Sequence, residues 1–216
     1  MSIKYIDNPL PYGPSSWHWP ENDFKSFNIF ETVYEIDEWI DLCKGRECAV
    51  QAGANMGIWP LRMSQLFSQV ISFEPNPIVY DCAVNNVYPF ASNVKIYNRA
   101  LSDVEKMVHV ELVKGNEGNY GAGYIVDGGD VQAMRIDDLY LENCDLLCLD
   151  IEGAELDALK GAEETIKEYR PLVVVEDKPM QHMTLFNRNV GAMGGWLSQF
   201  GYKKVGRVHW DDIYAC

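Results

Sequence analysis

Residues 48–57 read CAVQAGANMG, a short, largely apolar run that stops at Gly53 and turns within a few residues into a helical segment, IWPLRMSQLFSQ. Apolar runs without in/out alternation need cover on both faces, as strands of a parallel sheet have. The same unit recurs along the chain. VISFE precedes helical IVYDCAVNNV, DLLCLD precedes AELDALKGAEETIKEY, and NVKIYN and PLVVVE add two further strands. Strands alternating with helices predict an α/β fold built on a mostly parallel sheet. YKKVGRV and DDIYAC, joined by a His-Trp turn, predict a C-terminal antiparallel hairpin. Pro60 is acceptable only in the first turn of its helix.

A chain of 216 residues is one domain in size. Residues 1–46 are expected to form an N-terminal arm and helix, with Phe30, Val33, Tyr34, Trp39 and Ile40 at helical spacing, and residues 47–216 a ligand-binding domain. The formal net charge of −14 repels phosphate backbones and anionic membrane surfaces, so neither a nucleic acid nor a membrane is an expected partner. No stretch is apolar enough for a membrane span and no secretory h-region is present, so the expected location is cytoplasmic. The six cysteines contain no C-x-x-C pair and the four histidines are scattered, so reduced thiols are expected and no metal-ligand set is readable from spacing.

In open parallel sheets ligands bind at the carboxyl ends of the strands. Gly53 ends the first such strand, Gly57 opens the helix, and Glu74 ends the second strand 21 residues beyond Gly53. A carboxylate there is placed to accept from both hydroxyls of a ribose. G-A-N-M-G lacks the second glycine of G-x-G-x-x-G, and no G-K-[ST] follows, so a pyrophosphate site is disfavoured and a nucleoside without phosphate fits better. S-adenosylmethionine is the common ligand of that kind. The alternative is that Gly53 and Gly57 serve only tight strand–helix packing.

VQAGANMG, ISFEPNP, NRALSD and LLCLDIEGAELDALKGAEETI, in that order, resemble the FkbM family of S-adenosylmethionine-dependent methyltransferases over roughly residues 47–177. The resemblance implies a seven-stranded class I methyltransferase (Rossmann-like) sheet and O-methylation of a hydroxyl on a small molecule or sugar. It implies that Gly53, Ala54, Asn55 and Gly57 line the methionine and ribose portion, that Glu74 binds the ribose hydroxyls, and that Pro75 and Asn76 shape the adenine side. Ala100, Leu101 and Ser102 match the segment bordering the adenine, and Asp150 the acid facing the transferable methyl. Gln51 stands where the family usually has aspartate. A neutral amide contributes less to an ammonium contact than a carboxylate, which leaves open a catalytically degenerate cofactor-binding protein with a scaffold or sensor role.

Methyl transfer to a hydroxyl is an in-line displacement that also needs a proton acceptor or a metal. Asp150 and Glu152, two apart at a strand end, are the leading candidates, and close pairing raises the pKa of one of them. Glu155 is expected only to stabilise a helix N-terminus. Glu176 and Asp177 are candidates for contacting the acceptor or a divalent metal, and His182 is a further candidate base. His109 is expected to be structural. Asn119, Tyr120 and Tyr124 lie in a glycine-rich loop suited to cover a site. Trp17, His18 and Trp19 either pack over a bound ring or sugar, or anchor the arm to the core.

Overall fold

The computed structural model describes residues 2–113, 115, 117–178 and 191–216. Its centre is a seven-stranded sheet of β3 (Cys48–Ala52), β4 (Gln69–Phe73), β5 (Val94–Tyr97), β10 (Leu146–Leu149), β11 (Leu172–Glu176), β12 (Lys203–Val208) and β13 (Asp211–Ala215), in the order β12-β13-β11-β10-β3-β4-β5. The strands from β5 to β11 run parallel, and β13 and β12 return antiparallel as the predicted hairpin. This is the mostly parallel seven-stranded sheet that the family resemblance implies.

The sheet is apolar on both faces, and its alternate residues enter different cores. Ala49, Val70, Leu146 and Val174 join the cluster under α3 (Ile58–Met63) and α4 (Pro77–Val87). Val50, Ile71, Leu147 and Val173 join the cluster under α5 (Glu155–Lys160), α6 (Glu163–Tyr169) and α7 (Ala192–Leu197). Pro60 sits in the first turn of α3, where its missing N–H costs no helical hydrogen bond. The single helix predicted over AELDALKGAEETIKEY is divided into α5 and α6 at Gly161, whose Cα packs so closely on the Ser102 carbonyl that a Cβ would not fit.

The arm is more ordered than its turn-rich sequence implies. It begins as a hairpin of β1 (Ile3–Asp7) and β2 (Ser16–Pro20) and continues through helical turns that include α1 (Ile29–Thr32) and α2 (Ile36–Trp39). Trp17, Trp19, Val33, Ile36 and Trp39 are fully buried in the same core as Ala49 and Val70, so arm and sheet share one hydrophobic interior. Trp17 and Trp19 are therefore anchors of the arm, with their indole N–H groups donating to Asn8 Oδ1 at 2.8 Å and Asp23 Oδ1 at 3.2 Å.

The glycine-rich stretch expected as a loop contributes to a second sheet. β7 (Lys106–Leu112) pairs antiparallel with β8 (Gly123–Asp127) and β9 (Val131–Met134), and β9 pairs with β6 (Ala100–Leu101). Its strands are half-exposed and its core is small, which is why periodicity alone marks only β7. All six cysteines are unpaired, five of them buried. Among the described residues no helix is long and apolar enough to cross a membrane.

Candidate functional site

β3 lies between β4 and β10, so the chain leaves this part of the sheet in opposite directions and a crevice opens at the carboxyl ends. The crevice holds a cavity of about 210 Å³, many times the ~10–15 Å³ that one water needs. Sheet residues form its floor, and Ser26, Asn28, Ile29 and Thr32 of the arm and Asn119–Gly121 of the glycine loop form the facing wall.

At one end the turn after β3 is locked to Glu74. Gly53 has φ +86° and lies against the Asp150 carbonyl oxygen, so both its conformation and its space exclude a side chain. Its N–H and that of Ala54 donate to the Phe73 carbonyl at 3.1 and 2.9 Å. Asn55, also left-handed at φ +50°, donates its N–H to Glu74 Oε2 at 2.9 Å, and the Asn76 N–H donates to Oε1 at 2.9 Å. Burial pushes the Glu74 pKa up to about 7 against the opposing pull of those two donors. A carboxylate held this way keeps free lone pairs on each oxygen for a ligand's hydroxyls.

Gln51 is buried beside this turn and directed inward. Its Nε2 donates to the carbonyls of Ala52 at 3.2 Å and Gly53 at 2.9 Å, and its Oε1 accepts from Ser72, the residue opposite it on β4. Both amide hydrogens are spent on the backbone of the turn, so the side chain braces the turn as well as lining the cavity.

At the other end the floor is acidic. Asp150 follows β10 directly and presents accessible surface to the cavity while protein crowds its other sides. Glu152 reaches the same place through a left-handed turn, φ +55°, followed by Gly153 at φ +109°. Strand alternation thus predicted the right neighbours for the wrong reason: the strand has ended, and a turn brings the two acids together. Glu155, fully buried, staples that turn by accepting from the N–H groups of Ile151 at 3.1 Å and Gly153 at 3.0 Å. Asp211 of β13 lies opposite Glu176 of β11 and also lines the cavity.

One carboxylate oxygen from each of Asp150, Glu152 and Glu176 lies within 4.8 Å of the other two. The Lys178 ammonium pairs with Glu176 and lies 3.5 Å from Glu152 Oε1. Burial raises the Asp150 pKa, opposed by Lys178 and reinforced by Glu155. Burial and then Asp150 push Glu152 up to about 7, and burial with Asp150 and Glu35 pushes Asp211 up to about 8. Glu176 is raised well above the carboxylate range by burial and by its acid neighbours. Burial opposes the Lys178 charge, yet Asp150, Glu176 and Glu152 together raise its pKa.

Of the residues expected at a ligand site, Gln51, Gly53, Asn55, Glu74, Pro75, Ala100, Leu101, Asp150 and Glu152 line this one cavity. Others do not. Gly57, φ +93°, caps α3, and a Cβ there would meet Val87 Cγ2 at 2.6 Å, so its role is helix packing. Ala54 is buried in the core beneath the turn. The Asn76 side chain caps α4 by accepting from the Ile78 N–H at 3.0 Å. Ser102 is buried, its N–H donating to the Met134 carbonyl at 3.0 Å. Asp177 is buried and accepts from the Gly191 N–H at 3.1 Å. His109 pairs with Glu111 at 3.1 Å away from the cavity, and Tyr124 donates to the same glutamate. His182 lies outside the described residues.

Sequence reasoning missed the arm residues of the wall, Arg99, Lys178 and Asp211. A lysine directly after two strand-end acids was a readable signal. Asp211 and the arm depend on tertiary pairing and had none.

The Methyltransferase FkbM domain model matches residues 51–204, and the chain belongs to that family. Methyltransferase sdnD of Sordaria araneosa is 30% identical over 167 residues, covering 59% of this chain and 64% of the relative, so the chain spans less than two thirds of that protein. Among solved structures, the methyltransferase FkbM of Methylobacillus flagellatus superimposes with a TM-score of 0.52 at 20% identity, covering 79% of this chain and 44% of that one. The Pyrococcus abyssi tRNA (uracil-54, C5)-methyltransferase, solved with S-adenosyl-L-homocysteine, gives a TM-score of 0.50 at 13% identity, covering 98% and 43%. Both likenesses concern the fold.

Proposed function

We propose that the protein is an S-adenosylmethionine-dependent O-methyltransferase acting on a hydroxyl of a small molecule or sugar. The observation that carries this reading is one cavity with a braced carboxylate, Glu74, at one end and Asp150 with Glu152 at the other. Glu74 accepts from the ribose hydroxyls of the cofactor, Pro75, Ala100 and Leu101 border the adenine, and Gly53 lets the backbone approach the methionine portion. The acidic floor favours the cofactor's sulfonium and ammonium charges. Since Gln51 Oε1 already accepts from Ser72, Asp150 is the acceptor left to meet the ammonium.

In this reading the acceptor hydroxyl enters between the arm and the glycine loop and attacks the methyl carbon in line with the departing sulfur. Glu152, with a pKa of about 7, receives the hydroxyl proton at neutral pH. Five buried, unpaired thiols support a reducing, cytoplasmic setting.

A second reading, a cofactor-binding protein without turnover, is favoured by one observation: Lys178 already engages Glu152 and Glu176. Transfer of a labelled methyl group from S-adenosylmethionine to a panel of polyhydroxylated acceptors separates the two. Product that disappears in Asp150→Asn supports catalysis. Cofactor binding without transfer to any acceptor supports the second reading.

A further inference from the structure

Two acids of the cavity floor, Asp150 and Glu152, and the buried Glu176 behind them have an arrangement that methyl-group positioning alone does not require. Three carboxylate oxygens, from Asp150, Glu152 and Glu176, lie mutually within 4.8 Å. That span matches one coordination sphere of calcium size, whose opposite oxygens stand about 5 Å apart, and needs a small closure for magnesium, at roughly 4.2 Å. Proximity of acids is common, and a second feature separates this set from a solvated patch. Glu176 is only 4% exposed, and its buried Oε2 accepts no hydrogen bond. A buried carboxyl oxygen with no donor beside it is costly unless a proton or a cation answers it.

Lys178 answers part of the charge, by pairing with Glu176 and approaching Glu152. One ammonium faces three carboxylates, with Asp211 a fourth on the same cavity wall. Lysine is a monovalent cation on a flexible stem, able to withdraw into the cavity that it lines when a better-charged occupant arrives.

We propose that Asp150, Glu152 and Glu176 form a divalent-cation site of hard oxygen donors, for ions of the Mg²⁺, Mn²⁺ and Ca²⁺ type, with the Lys178 ammonium as the competing occupant. All-carboxylate ligation suits such ions and disfavours soft metals. Water completes the coordination sphere from the cavity side. The use of this ion in methyl transfer rests on the reading proposed above: bound at the floor, it would take over from Glu152 as the activator, by orienting and polarising an acceptor hydroxyl. The binding itself does not depend on that reading.

The test is Mn²⁺ titration of the full chain, followed by the loss of the free-ion electron paramagnetic resonance signal, with no cofactor present. The expected result is one saturable site. Glu176→Gln should weaken it by at least about tenfold, and Lys178→Met should tighten it by about tenfold. A stoichiometry of one and tenfold effects from single charges separate this site from loose Mn²⁺ association with a chain of net charge −14, which would be non-saturable and shift only slightly. The two variants' circular dichroism and thermal midpoints establish that both are folded. Absence of a saturable site in both wild type and Lys178→Met, or equal affinity in all three proteins, would overturn the proposal. S-adenosylmethionine titration of the same samples keeps the two claims apart, because cofactor binding without Mn²⁺ binding refutes the metal site alone.

Discussion

Glu74 is the residue on which the cofactor end depends, and its two roles can be separated. Its oxygens hold the Asn55 and Asn76 N–H groups, which sets the loop, and their remaining lone pairs are free for a ligand. Glu74→Gln keeps one acceptor oxygen and removes the charge, so S-adenosylmethionine affinity should fall by roughly 10–100-fold, the range for a lost charged hydrogen bond. Calorimetry reads this directly, and unchanged affinity would remove the ligand from this end. Gly53 gives a sharper test of the turn. Gly53→Ala places a methyl against the Asp150 carbonyl at φ +86°, which should lower stability by about 2–4 kcal/mol in denaturant unfolding. Gly57→Ala should also destabilise, through Val87 and Ala83, while leaving the cavity wall unaltered. Gly53 and Glu74 were legible because their types and spacing follow from ligand chemistry. Gly57 looks identical in sequence, and only the approach of α4 reveals that it serves packing.

Among the elements, the arm and the glycine loop form one wall held by a single buried acid. Asp23, fully buried, accepts from the Tyr120 N–H at 2.8 Å, the Ser26 hydroxyl at 2.6 Å and the Ser26 N–H at 3.1 Å. The Phe24 N–H donates to the Gly118 carbonyl at 3.0 Å beside it. Asp23→Ala leaves several buried donors unanswered, so amide exchange at Ser26, Tyr120 and Gly121 should accelerate while β3 and β10 stay protected. Equal protection in the variant would mean that the wall stands without this acid. The main strands were readable from unbroken apolar runs, which is what a sheet covered on both faces demands. β8 and β9 were not, because half-exposed strands in a glycine-rich stretch carry no such pattern. The arm's place in the wall was hidden for another reason: Trp17 and Trp19 read more readily as core anchors than as a ligand platform, which their burial bears out, but that reading does not show which arm residues face the cavity.

Taken as a whole, the molecule stores strain from buried acids at both ends of the cavity, Glu74 at one and the junction of β10, β11 and β13 at the other. Glu152 and Glu74 have folded pKa values of about 7 and Asp211 about 8, all above their ordinary values. Between roughly pH 4.5 and pH 8 the folded protein therefore binds more protons than the unfolded chain, and stability must fall as pH rises through that window. The carboxylates with lowered values, Glu111, Glu117 and Asp138, act below it, where stability falls as pH drops. The thermal midpoint should accordingly decline from about pH 5 to about pH 8, and Asp211→Asn should flatten the upper part of the decline. A midpoint that rises over this interval would contradict the burial of these acids. This junction was the least legible feature in the sequence, since Asp211 and Glu176 meet only through an antiparallel register set some 35 residues apart.

The most direct test of the account is calorimetric titration of the folded protein with S-adenosylmethionine, with S-adenosylhomocysteine and NAD as comparisons. One site of micromolar affinity for the first two, and none for NAD, is the predicted result. Binding of NAD, or of none of the three by protein whose fold is verified by circular dichroism, would contradict the assignment of this cavity to a methyl donor.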